Sequence, residues 1–110
     1  MQEGHQLTFF TQQERLQDGQ PLAHWLLTLA QQMGLRGATL SASLEGLGHD
    51  GRLHATNLFD FSDQPVQVTL VLSPEEEQRL LNHLAQREVR VFYTRCAVTF
   101  GTTGVAATLA

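Results

Sequence analysis

The 110-residue sequence predicts an α+β domain whose strands and helices follow the order β-α-β-β-α-β. Three observations predict it. Leu22, Trp25, Leu26, Leu29 and Met33 recur at i, i+3, i+4, i+7 and i+11, the spacing of one buried helix face. Ala38, Leu40, Ala42 and Leu44 alternate with Thr39, Ser41, Ser43 and Glu45, the period of a half-buried strand. Ser73 and Glu76 are spaced as a capping box with Pro74 at the first helical position, ahead of Leu80, Leu81 and Leu84.

The remaining elements fall between these. Residues 6–11 are rich in β-branched and aromatic side chains and read as the first strand. Residues 11–20 are polar, contain Asp18-Gly19 and read as a loop. Pro21 suits the first position of the helix that follows, and Gly34 is its stop signal. After the second strand come three glycines in six residues, Gly46, Gly48 and Gly51, which read as a mobile loop running to Arg52. Residues 53–61 are expected to be partly extended and to rejoin the sheet. A turn at Ser62-Asp63-Gln64-Pro65 leads into a third strand over residues 66–72. Glu75, Glu76 and Glu77 suit the positive end of the second helix. A final strand is expected from Val89 to about Phe100, with a break near Cys96. Residues 1–100 then make one domain, and 101–110 a frayed tail or a segment that pairs with a neighbouring chain.

This order is the split βαβ, ferredoxin-like arrangement, a four-stranded antiparallel sheet with two helices on one face. The other face has no cover from within the chain. It is expected to carry Phe10, Val71 and either Phe92 or Tyr93 among Thr39, Ser41, Ser43, Gln67 and Thr69. Such a face reads either as a solvated surface or as a subunit interface.

Composition narrows the function. The formal charge of −4 argues against nucleic acid, which calls for a basic stripe. All seven cations are arginines, so Schiff-base chemistry and a P-loop lysine are excluded. A single cysteine allows no intrachain disulfide and suits a reducing, cytoplasmic setting. No basic-then-apolar leader opens the sequence and no apolar run spans a membrane. No nucleophile, base and orienting group stand at defined spacing, so the sequence predicts a binding protein and not an enzyme. Cys96 reads as a small buried apolar residue, and Trp25 as core.

Gly37-Ala38-Thr39, Glu45-Gly46-Leu47-Gly48, Gly51-Arg52-Leu53-His54 and Pro65-Val66, in this order and spacing, resemble the PII-like proteins of the domain-of-unknown-function 190 family. The resemblance runs from about Leu7 to Val98. It implies a PII-like, GlnB-like fold and a compact homotrimer with the open sheet faces around its axis. It also implies that the loop over residues 46–57 is the segment that touches a target protein, a membrane transporter being one candidate class. Clefts between subunits are then where a small anionic effector binds, an adenine nucleotide in PII proteins, with no obligatory cofactor. The lysine that PII proteins use on phosphate has no counterpart here, and the turn at Gln86-Arg87-Glu88 is shorter than their phosphate-clamping loop.

Candidate ligand-binding residues follow from the frame and from charge. Gly37, Thr39, Glu45, Gly46, Gly48, Arg52 and His54 lie in the family motifs. Arg90 and Arg95 lie around the last strand, where a planar guanidinium can fork onto phosphate or carboxylate. Each arginine also has the plainer reading of a solvated or carboxylate-paired surface residue. His49, Asp50 and His54 lie within six residues and form the alternative, a divalent-metal or metal-tolerance site, although tetrahedral zinc needs a further ligand.

Overall fold

The computed structural model describes residues 1–42, 45–47, 53–55 and 64–105, with backbone alone for 45–47 and 53–55. Its elements are β1 (Gln2–Gln12), β2 (Leu16–Gln17), β3 (Gln20–Pro21), α1 (Leu22–Gln32), β4 (Ala38–Ala42), β5 (Glu45–Leu47), β6 (Leu53–Ala55), β7 (Pro65–Leu72), α2 (Pro74–Gln86) and β8 (Phe92–Phe100).

Four strands form the main antiparallel sheet in the order β4-β7-β1-β8. The expected β-α-β-β-α-β frame is therefore present, with β1 and β7 central. Alternation decides which side faces the helices. Leu7 and Phe9 of β1 stand opposite Leu70 and Val68 of β7, and all four are buried. Leu22, Trp25, Leu26 and Leu29 of α1 and Leu80 and Leu84 of α2 close over them in one core.

Local chemistry sets the helix ends. Ser73 Oγ accepts from the Glu76 N–H, and Glu76 Oε1 accepts from the Ser73 N–H at 2.9 Å, which completes the capping box. Pro21 precedes α1 as its N-cap, one position earlier than its expected place inside the helix. Gly34 ends α1 with φ +70°, the Gly34 N–H donating to Gln31 and the Leu35 N–H to Ala30. Arg79 of α2 donates to the Met33 carbonyl at 2.7 Å, so a cation sits where the α1 dipole is negative.

Several expectations are corrected. The first strand begins at Gln2, earlier than its aromatic stretch indicates. Residues 11–20 are not only loop: β2 and β3 pair across the Asp18-Gly19 turn, with φ of 52° and 81°. Both are positive, as a two-residue hairpin turn requires. Leu53–Ala55 does not rejoin the main sheet; it pairs with Glu45–Leu47 as a separate ribbon. Residues 56–61, the rest of that stretch, lie outside the described residues. β8 runs unbroken through Cys96, and that cysteine is exposed. As the last residue of its row on an edge strand, it has no strand beyond it to bury it. Residues 101–105 are exposed, and 106–110 lie outside the described residues.

Candidate functional site

Two surfaces gather the polar and aromatic groups. The first is the sheet face opposite the helices. Register aligns Thr39, Thr69, Thr8 and Thr94 in one row across all four strands. Thr8 and Thr69 share a hydroxyl hydrogen bond at 3.3 Å. The adjacent row is Ser41, Gln67, Phe10 and Phe92, and the Phe10 and Phe92 rings lie 5.8 Å apart between centroids. Phe92 is thus the aromatic on this face. Tyr93 points the other way and packs against Phe9 at 5.6 Å. Of the residues expected here, Ser43 lies outside the described residues.

The second surface is the helix-side margin of β8. His5, opposite Ala97, and Arg95, opposite Leu7, share that side of the sheet. Glu77 descends on them from α2. Its Oε1 lies 2.8 Å from His5 Nδ1 and its Oε2 lies 3.0 Å from Arg95 Nη2. Arg95 Nη2 is 3.1 Å from Nδ1 and 3.2 Å from Nε2 of His5. Glu77 is a buried carboxylate, 7% exposed, and its Oε1 makes no well-directed hydrogen bond. The contact with His5 is therefore close without being a directed hydrogen bond.

Sequence reasoning named Arg95 but missed Glu77 and His5. The three glutamates looked alike at a helix start. Yet Glu77 stands three and seven residues before Leu80 and Leu84, on the apolar face, and that spacing was the available signal.

The other candidates are spread over the fold. Gly37 precedes β4 with φ +28° and is exposed. Thr39 lies on the open face, at the edge strand opposite to β8. The two edges are roughly 14 Å apart at ordinary strand spacing. One chain therefore does not bring Gly37 and Thr39 to Arg95. Glu45 and Gly46 lie in β5 and His54 in β6, where Gly46 pairs with His54. Arg90 is exposed between α2 and β8, and its carbonyl accepts from Arg15. Gly48, His49, Asp50 and Arg52 lie outside the described residues. Among the described residues, no three His, Cys, Asp or Glu side chains converge as a metal site, and no helix is long and apolar enough to cross a membrane.

Solved structures similar to this one include PII-like proteins. One is CPII, a nitrogen regulatory PII-like protein from Thiomonas intermedia K12 solved bound to ADP, AMP and bicarbonate. It matches with a TM-score of 0.60 and 18% identity, covering 87% of this chain and 88% of that one. A second is a PII-like signalling protein from Thermus thermophilus, with a TM-score of 0.63 and 17% identity over 88% of each chain. At these identities the likeness speaks to fold. Sequence relatives speak to family. A UPF0166 protein of Aquifex aeolicus (strain VF5) is 30% identical over 79 residues, 71% of this chain and 75% of that protein. The model of the DUF190 family, described as an uncharacterized ACR, matches residues 4–100. The chain belongs to the DUF190 family and has its PII-like fold.

Proposed function

We propose that this protein is a PII-like regulator, a homotrimer that binds a small anionic effector between subunits and contacts a target protein through the segment over residues 46–57. The effector class is an adenine nucleotide. The observation that carries the reading is the open sheet face, where a threonine row and the Phe10–Phe92 pair stand uncovered by either helix. Small hydroxyl side chains allow close backbone approach, and flanking aromatics exclude water, which suits self-association. With that face at a three-fold axis, the edge strands β4 and β8 of neighbouring copies come together. Thr39 and Gly37 of one copy then approach Arg90 and Arg95 of another, although they lie apart within one chain. CPII, with the same fold, is solved with ADP and AMP together with bicarbonate or acetate.

Adenine nucleotides bind in this reading through arginine in place of the absent lysine, since a guanidinium offers two parallel donors to a phosphate. Calorimetric titration of the trimer with ATP, ADP and AMP tests it. Saturable binding of at least one is expected, and no heat from any of them removes the nucleotide from the reading.

A further inference from the structure

We propose that β4 of one copy pairs antiparallel with β8 of a second copy, in the register that sets Leu40 opposite Tyr93. The proposal rests on the reading that places the open sheet faces around a three-fold axis, and adds which edges meet and how they are aligned.

The main sheet ends in two bare edges. Among the described residues, no strand lies outside β4 or outside β8. An edge strand offers a row of backbone donors and acceptors to any passing chain, and proteins guard such rows with proline, charge or a bulge. Ala38–Ala42 has neither proline nor charge, and Phe92–Phe100 has Arg95 alone. Arg95 is paired with Glu77 of its own chain at 3.0 Å, so its charge guards the edge poorly. Seven of the nine residues of β8 are exposed, and they alternate between the two faces of the sheet. This strand therefore lacks cover on both faces as well as along its outer edge.

Direction permits the pairing. β4 is antiparallel to β7, β7 to β1 and β1 to β8, so β4 and β8 run opposite ways. Copies arranged around an axis along the strands keep that relation, and the bare edge of each meets the other bare edge of its neighbour. A ring closed in this way has no edge left open along the paired stretch.

The helix side of the sheet selects the register. Leu40 stands there, opposite buried Val68, yet is 47% exposed. On the same side β8 presents Tyr93, Arg95, Ala97 and Thr99. Tyr93, 36% exposed, is the large uncharged side chain among them. Leu40 opposite Tyr93 removes both from water. Opposite Arg95 it meets a cation, and opposite Ala97 it finds little surface to cover it. The same register sets Thr39 opposite Thr94 and Ser41 opposite Phe92. The threonine row of one chain ends in Thr39 and Thr94, so it then continues into the next chain without a step. β8 has nine residues to the five of β4, and its far half, from Cys96 to Phe100, stays unpaired beside Gly37 of the neighbour. That end of the seam is left open, and an effector between subunits has room there.

Disulfide crosslinking tests the register. Leu40 and Tyr93 lie on opposite edges of one chain, roughly 14 Å apart at ordinary strand spacing. A disulfide needs Cα atoms within about 7 Å, so a bond between these positions joins two copies. In the full chain carrying Cys96→Ser, Leu40→Cys with Tyr93→Cys is expected to give covalent dimers and trimers under mild oxidation, read on a non-reducing gel. Thr39→Cys with Thr94→Cys holds the same register on the other face. It is expected to behave alike and keeps the test open if the first pair does not fold. Leu40→Cys with Ala97→Cys lies about 13 Å out of register along the strand and is expected to stay single. Leu40→Cys alone and Tyr93→Cys alone are expected to stay single too. Crosslinking by either single-cysteine variant means that like edges meet, and overturns the proposal. Failure of both matched pairs overturns it as well; a parent that still sediments as three chains then leaves the trimer standing. Covalent ladders longer than three chains from the matched pairs uphold the pairing and reject the trimer.

Discussion

Phe10 of β1 and Phe92 of β8 face each other on the side of the sheet that neither helix covers, their ring centroids 5.8 Å apart at an interplanar angle of 49°. Phe92 is 46% exposed in the single chain. If three copies share this face, Phe10→Arg places three cations where apolar rings meet, and burying an unpaired charge costs several kcal/mol. Sedimentation velocity is expected to report three chains for the parent and one for Phe10→Arg. A parent that sediments as a single chain in dilute buffer rejects the trimer.

Gly4 is buried in β1 where a methyl group has no space. A Cβ there would lie 2.1 Å from the Leu72 carbonyl oxygen and 3.0 Å from the Phe100 ring. The oxygen belongs to backbone in a central strand and cannot swing away. Gly4→Ala is expected to destabilise the fold by about 1–3 kcal/mol, the usual range for overpacking. Denaturant unfolding followed by circular dichroism measures it, and an unchanged midpoint would mean the strand shifts freely.

The frame was legible because its elements obey short-range rules. The helical period from Leu22 to Met33, the alternation from Ala38 and the Ser73–Glu76 box each depend on residues a few positions apart. The site was less legible because it depends on pairing register. Nothing local tells Phe92 from Tyr93 as the aromatic of the open face; the Phe10↔Phe92 pairing does. The threonine row draws on four separate strands, and its alignment appears only once they pair. Glu77 was hidden by Glu75 and Glu76, which have the ordinary roles that a helix start assigns them. Leu53–Ala55 reads as a strand by composition, but composition does not say that its partner is Glu45–Leu47 and not the main sheet.

Leu80 tests where the core is anchored. It is 1% exposed on α2, in the same cluster as Leu7, Phe9 and Leu72. Truncation to alanine removes its contacts and leaves a cavity that two central strands cannot fill. Leu80→Ala is expected to cost about 2–5 kcal/mol. For a domain of this size that lowers the melting temperature by roughly 10 °C or more. Scanning calorimetry reads the shift. A change below about 0.5 kcal/mol, as at a surface position, would place the core elsewhere.

The two helices end in the same way with different residues, and this gives an internal control. At α1, the Gly34 N–H donates to Gln31 and the Leu35 N–H to Ala30, with Gly34 at φ +70°. At α2, the Glu88 N–H donates to Ala85 and the Val89 N–H to Leu84, with Glu88 at φ +54°. Both are Schellman endings, which favour glycine at the left-handed position because a Cβ crowds the following carbonyl. Buried Val89 against buried Leu84 supplies the apolar contact that accompanies the motif and holds Glu88 in its unfavourable conformation. Glu88→Gly relieves that strain and also raises the entropy of the unfolded chain, so the net gain is expected to be roughly 0.5–1 kcal/mol. Gly34→Ala runs in the opposite sense and is expected to lose about 1 kcal/mol. Opposite shifts of the melting temperature in the two variants check the argument. A Glu88→Gly variant less stable than the parent would mean that the glutamate side chain contributes more than its backbone costs.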